Sequence, residues 1–259
     1  MAKHFQVDTG GTLTTNLVSY YKLEDANDFY ASNNLTNTST TFSSGKVNNA
    51  ATFNGSTSKL VLSSVLSANT TSISMGGWIY LPDASVSAIF LQNGNHSAGT
   101  NGIFFGINNN DGGFTSGNTI FFLYAGVVWR HFGAAGTGWV HLMATIAADK
   151  TLTVYKNNVA VGSTYTDTMT TPTNNFSIGY GLDPNGPTSY YADNGVQVDE
   201  VFFHEKVISS TERGDLYNSG DGQTMIESSI KSFNGLAYSS IKSINGLVVG
   251  SIKSINGLT

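Results

Sequence analysis

The most pointed chemistry in this sequence is the acidic pair inside Val196-Gln197-Val198-Asp199-Glu200-Val201-Phe202-Phe203. The run has the apolar pattern of a strand, and successive strand side chains face opposite sides of a sheet. Strict alternation groups Glu200 with Val196, Val198 and Phe202, and Asp199 with Gln197, Val201 and Phe203. One carboxylate then points to the core unless a bulge intervenes, and a buried carboxylate needs a partner. Lys, Arg, backbone N–H and Ca2+, which prefers carboxylate and carbonyl oxygens, are the alternatives.

A second group is aromatic. Tyr190-Tyr191-Ala192-Asp193-Asn194, with Trp129, has the mix a shallow glycan site needs: rings stack on sugar faces while Asp and Asn bond hydroxyls. The alternative is that these residues shield a sheet edge. Trp78 and Trp139 lie in core-like strands and are expected to pack. His131, His141 and His204 are widely spaced, and His141, just after Trp139, is expected to be a hydrogen-bonded structural histidine. No Gly-x-Ser-x-Gly elbow, His-Glu-x-x-His pair or phosphate loop occurs. Arg213-Gly214-Asp215 spells an adhesion tripeptide but lies within an expected helix, where chance explains it.

The elements that position these residues are strands. Charged residues make up only 11% of the 259, and polarity comes from Ser, Thr, Asn and 29 Gly, which suit short strands and tight turns. Strands are expected at 17–23, 59–62, 73–81, 103–107, 120–124 and 151–156, with a long loop over 108–118. Asn157-Asn158 predicts a two-residue hairpin turn, with Leu152, Val154, Val159 and Val161 as the apolar positions. One helix is expected, opened by Ser209 as N-cap with Glu212 closing a capping box. Many short strands and one helix mean an antiparallel two-sheet β-sandwich or jelly roll over residues 17–222, after an N-terminal arm, 1–16.

Residues 223–259 differ in kind. Ser229-Ile230-Lys231-Ser232-Phe233-Asn234-Gly235-Leu236 recurs eleven residues later around Ile241, Ile244 and Leu247, and again around Ile252, Ile255 and Leu258. Each copy holds Asn-Gly, a strong turn signal, between apolar residues. Eleven residues cannot bury a face alone, so the copies must stack on each other, on the sandwich or on other chains. A docking or oligomerisation tail is the favoured reading, and a flexible, sticky terminus the other.

Several segments, in order, resemble the laminin-G-like jelly-roll family of the concanavalin A-like lectin/glucanase superfamily. They are Leu17–Leu23 leading to Asp28, Gly45-Lys46-Val47-Asn48-Asn49-Ala50 with Phe53-Asn54-Gly55, and Ile73-Ser74 with Gly77-Trp78-Ile79. Gly138-Trp139-Val140-His141 follows, then Leu152–Val159, Val198–Phe203 and Leu216–Gly220. The resemblance implies an all-β, concanavalin A-like sandwich and a structural Ca2+ site with Asp28 and Asp199 at the matching positions; a hydrogen-bonded Asp without metal is the alternative. Hydrolases of that superfamily use a Glu-x-Asp-x-x-Glu strand, and no such spacing occurs among Glu24, Glu200, Glu205, Glu212 and Glu227. The repeated tail resembles C-terminal repeats of phage-type structural proteins.

With 12 Lys+Arg against 17 Asp+Glu and no basic cluster, nucleic acid is not an expected partner. Cys is absent, which excludes disulfides and thiol chemistry. The N-terminal residues hold no apolar stretch fit for a signal peptide, and no run is long enough to span a membrane. These features predict a non-enzymatic virion surface protein, such as a phage capsid decoration, head-fibre or tail-associated component. It would assemble in a host cytoplasm as a homo-oligomer, dock on other virion or surface proteins through its repeats, and contact host glycans. A carbohydrate-binding module or lectin on a bacterial surface is the alternative, and a glycoside hydrolase ranks third.

Overall fold

The computed structural model describes residues 12–94, 102–107, 118–124, 128–182 and 189–225, with the short pairs 232–233, 236–237, 243–244 and 247–248. The strands of the sandwich, in chain order, begin with β1 (Leu17–Tyr21), β2 (Thr36–Thr38), β3 (Thr41–Ser44), β4 (Asn49–Thr52), β5 (Lys59–Leu62) and β6 (Ile73–Leu81). The middle of the chain adds β7 (Ala88–Gly94), β8 (Gly102–Ile107), β9 (Thr119–Tyr124), β10 (Val128–Ala134), β11 (Gly138–Ile146) and β12 (Leu152–Lys156). Then come β13 (Val159–Tyr165), β14 (Phe176–Ile178), β15 (Tyr180–Leu182), β16 (Ser189–Tyr191) and β17 (Gln197–His204). A single α-helix among the described residues, α1 (Ser210–Tyr217), follows β17 and runs into a 3-10 turn over Asn218–Gly220.

Two antiparallel sheets form the sandwich. The first runs β13-β12-β11-β6-β17-β4-β3, with β1 pairing the far end of β17; the second runs β10-β9-β8-β7-β14-β5-β2. Between them lies one apolar core, with Ile79, Leu142, Val154 and Phe203 from the first sheet against Phe90, Phe105, Phe122 and Phe176 from the second. Where edge strands β10 and β13 approach, Arg130 forks onto Asp167 at 2.7 Å and lies over the Tyr165 ring, closing that side with a bidentate ion pair.

Local signals in the sequence act as their chemistry requires. Asn157 and Asn158 both take positive φ, 48° and 66°, and turn β12 into β13. Val154 and Leu152 reach the core, while Val159, one of the expected apolar positions, is exposed beside the turn. Ser209 caps α1 and Glu212 returns the bond to the Ser209 N–H, the full capping box. Residues 12–16, expected to be part of an arm, instead pack on the sandwich: Leu13 is fully buried and its carbonyl meets His204 Nε2 at 2.7 Å. The expected 108–118 loop lies outside the described residues except for Asn118, whose side chain makes two 2.7 Å bonds to the Gly136 backbone.

The two outer faces of the sandwich are not bare. On the second sheet, Ile89, Phe104, Phe121 and Leu123 form a separate apolar layer behind the core. The β15–β16 hairpin reaches this layer at Gly181, where a Cβ would come within 2.8 Å of the Phe104 ring, so glycine permits the close approach. On the first sheet, Leu17, Tyr20, Met143 and Phe202 are roofed by Leu13, Ile208, Leu216 and Met225.

Candidate functional site

The acidic pair sits in a β-bulge. Along β17, Asp199 pairs with Trp78 and Phe202 with Gly76, so one extra residue enters β17, and Glu200 takes φ 53° to accommodate it. Gly77 lies opposite; a Cβ there would meet the Asp199 and Glu200 carbonyls at 2.9 Å. Because of the bulge, neither carboxylate enters the core. Val198, Val201 and Phe203 point inward, and the two acids meet partners outside it.

Glu200 accepts from the Tyr20 hydroxyl and from Thr224 Oγ1 at 2.8 Å, and Tyr20 Oη accepts the Met225 N–H at 2.8 Å. Burial pushes its carboxyl well above the usual range, partly offset by Thr224 and Met225. The network fastens the last described residues of the sandwich, just before the repeats, to the bulge. Asp199 accepts the Val47 N–H at 2.8 Å, while its other oxygen has no hydrogen-bond partner of good geometry. Burial raises its carboxyl to about 7, against the lowering effect of the Val47, Glu200 and Lys46 amides.

Asp28, the other expected calcium ligand, organises its own loop. Its Oδ1 accepts the N–H groups of Tyr20, Tyr30 and Ala31, and Oδ2 that of Asn33. Both oxygens are thus taken by amides, and no group of three or more acidic or histidine side chains gathers among the described residues. A calcium ion needs six to eight oxygens, so these residues as arranged do not fit one.

The expected glycan residues divide. Trp129 and Tyr190, 61 positions apart in sequence, come to one place: both are half-buried against the outer layer of the second sheet, with Trp129 5.1 Å from the Phe121 ring. Tyr191 pairs instead with Tyr180, their rings 5.1 Å apart. Asp193 clamps the preceding loop, accepting the Ser87 N–H at 2.6 Å and donating its own N–H to the Ser87 carbonyl. Asn194 is exposed at the adjoining turn.

His141 and His204 are buried among aromatic rings, and each has an Nδ1 without a partner, unlike the satisfied histidine expected. Burial pushes His141 down to about 3 and His204 to about 4. The Arg213 of the adhesion-like tripeptide bonds Asn158 at 2.6 Å and lies over Tyr155, docking α1 on the β12–β13 hairpin.

The sequence reading missed one cluster. Trp78 is buried as expected, with His141 and Tyr217 against it. Trp139 is not. It is half-exposed on the outer face of the first sheet, 5.5 Å from the Tyr80 ring. Period-two alternation in Trp139-Val140-His141-Leu142 carries the signal, because Val140 and Leu142 claim the core face.

Of the expected tail, residues 223–259, only 223–225 and four short strands lie among the described residues. β18 (Ser232–Phe233) pairs with β19 (Leu236–Ala237), and β20 (Ser243–Ile244) with β21 (Leu247–Val248). The register repeats with the sequence: Phe233 pairs with Leu236 and Ile244 with Leu247. Ile230, Ile241, Ile252, Ile255 and Leu258 lie outside the described residues.

No protein-family profile and no curated protein sequence matches this chain. Solved structures do share its fold. The fourth domain of AbnA, a GH43 extracellular arabinanase from Geobacillus stearothermophilus solved in complex with arabinotriose, superposes with a TM-score of 0.56 at 17% identity, covering 80% of this chain and 98% of that one. Trypanosoma rangeli sialidase in complex with sialic acid gives 0.61 at 17% identity over 82% of this chain and 34% of its own, so the chain spans about a third of that enzyme. The binding domain of Paraclostridial Mosquitocidal Protein 1 gives 0.57 at 13% identity over 79% of this chain and 52% of its own. At these identities the shared property is the β-sandwich. No helix among the described residues is long and apolar enough to cross a membrane.

Proposed function

We propose that the chain is a non-enzymatic, lectin-like recognition module that its C-terminal repeats attach to a larger surface assembly, with a virion surface as the setting. The observation that carries this reading is how the sandwich spends its acids and its aromatics. Asp28, Asp193, Glu200 and Glu212 each hold backbone or side-chain donors that build a loop, a cap or the chain exit. Half-exposed rings, by contrast, stand on both outer faces: Trp129 and Tyr190 on one, Tyr80 and Trp139 on the other. Such rings supply the apolar faces that sugars stack on. A fold neighbour solved with arabinotriose and another that is itself a binding domain support the recognition part of this reading.

The repeats favour attachment. A hairpin of two residue pairs is not stable alone in water, so a series of them requires a surface or further copies to pack on. The phage-like character of the repeat is what favours a virion over a bacterial cell surface.

Two measurements test the reading. The full chain should bind oligosaccharides on a glycan panel while releasing no reducing sugar from them, and steady hydrolysis would overturn it. Truncation after Met225, which spares the Glu200 network, should leave a folded sandwich that no longer oligomerises or associates with particles; unchanged association would remove the role given to the repeats.

A further inference from the structure

We propose that the uncovered half of the first sheet's outer face is a binding strip for a neutral oligosaccharide, formed by Trp139, Tyr80, Gln197 and Thr52. The proposal rests on the lectin-like reading above and names its site and ligand class.

Sheet register puts the four residues in one row. Trp139 pairs with Tyr80, Tyr80 with Gln197 and Gln197 with Thr52 across β11, β6, β17 and β4. Their neighbours Val140, Ile79, Val198 and Ala51 fill the core, so the row faces outward. Neighbouring strands lie about 4.8 Å apart, which makes the row about 14 Å long, the length of a short oligosaccharide rather than one sugar.

The row has two kinds of surface. At one end the Trp139 and Tyr80 rings sit 5.5 Å apart, inclined by 55°. They offer two apolar faces to the C–H faces of consecutive sugar rings that turn relative to each other. At the other end the Gln197 amide is fixed: its Nε2 donates to Ser43 Oγ, Thr52 Oγ1 and the Ser44 carbonyl at 3.0 to 3.3 Å. That orientation leaves its carbonyl oxygen as an acceptor for a ligand hydroxyl, beside the paired Ser43 and Thr52 hydroxyls.

Charge decides the ligand class. The row carries no carboxylate, ammonium or guanidinium. The cations Lys46 and Arg213 are engaged in the covered half, over the Trp78 and Tyr155 rings. An acidic sugar would find no ionic partner along the strip, whereas a neutral one finds rings, an amide and hydroxyls.

The test is calorimetric titration of the full chain with arabinotriose, cellohexaose and sialyllactose, using wild type and the variants Trp139→Ala, Trp139→Phe, Tyr80→Ala and Trp129→Ala. A neutral oligosaccharide should bind wild type. Trp139→Ala and Tyr80→Ala should each weaken it about tenfold or more, with Trp139→Phe intermediate and thermal melts near wild type. Loss of binding in Trp129→Ala with full retention in Trp139→Ala and Tyr80→Ala would sink the strip and keep the lectin-like reading. Binding of sialyllactose alone would overturn the neutral class. Binding of none of the three sugars would overturn the strip, and a blank on the wider panel would then remove the recognition reading as well.

Discussion

The outer face of the first sheet has two halves built on the same strands, and they differ in fate. Trp78 and Tyr80 lie two residues apart on β6, His141 and Trp139 on β11, Asp199 and Gln197 on β17. The first of each pair is buried beneath α1, the Gly45–Asn48 turn and the segments 12–16 and 218–225, while the second remains half-exposed. Strand chemistry is the same in both halves. What separates packing from display is a roof delivered from residues 12–16, 45–48 and 208–225, far away in sequence. An aromatic on an outward strand position is therefore not by itself a core residue or a ligand residue.

The largest effect should come from exchanging equivalent rings across that boundary. Trp78→Ala removes a ring packed on His141, Tyr217 and Lys46 and should cost about 3–5 kcal/mol, as large aromatic truncations in packed interiors do. Trp139→Ala should cost less than about 1 kcal/mol, because it leaves no cavity. Urea midpoints of the two variants decide the matter. Equal losses would mean that the two halves are not distinct.

The covered half should also make stability depend on pH in two opposing ways. Asp199 and Glu200 have raised carboxyls in the folded protein, so their contribution is full below about pH 4 and is lost as pH rises, for Asp199 through about 7. His141 and His204 are lowered by burial, so their penalty grows as pH falls from about 6.5 toward 4 and 3. Asp199→Asn keeps an acceptor for the Val47 N–H and removes the charge. It should raise stability at pH 8 by up to a few kcal/mol and change little at pH 4, and a gain independent of pH would refute the assignment. His141→Phe should flatten the acid limb, read from melts between pH 4 and 7.

A smaller effect isolates the roof. Ser209→Ala breaks the capping box that starts α1 and should cost about 1 kcal/mol. Amide exchange should quicken in α1 and around Trp78 but not at Tyr80 or Trp139. The same variant should bind oligosaccharide as wild type does, since the open half does not touch the helix.

Much of this was legible in the sequence. Asn157-Asn158 gave the hairpin because few residues accept positive φ, and Ser209 with Glu212 gave the helix start because a capping box is a local arrangement. Alternation in 196–203 even posed the right alternative for Asp199 and Glu200: a buried charge or a bulge. Less legible was whatever depends on distant contacts. That Tyr20 and Thr224 would meet Glu200, that 12–16 would pack as roof, and that Trp139 would stay uncovered all follow from chain segments closing over the sheet, which no local pattern encodes. Residue type and expected loop position mark Trp129 and Tyr190 separately; their meeting on one layer depends on the β15–β16 hairpin crossing the second sheet.

The smallest expected effect is that of calcium, and it bears on how the covered half and its border are closed. If a metal held Asp28 and Asp199, millimolar Ca2+ would raise the melting temperature, since a ligand at a hundred times its Kd adds about 2.7 kcal/mol. Asp28 instead gives both oxygens to four amides of Tyr20, Tyr30, Ala31 and Asn33, and Asp199 gives one oxygen to the Val47 N–H. Melts with Ca2+ and with EDTA should therefore coincide. Asp28→Ala, which strands those amides, should lower the melting temperature equally in both. A calcium-dependent shift that Asp28→Ala abolishes would mean that this loop rearranges to bind metal and that protein groups alone do not close the border of the covered half.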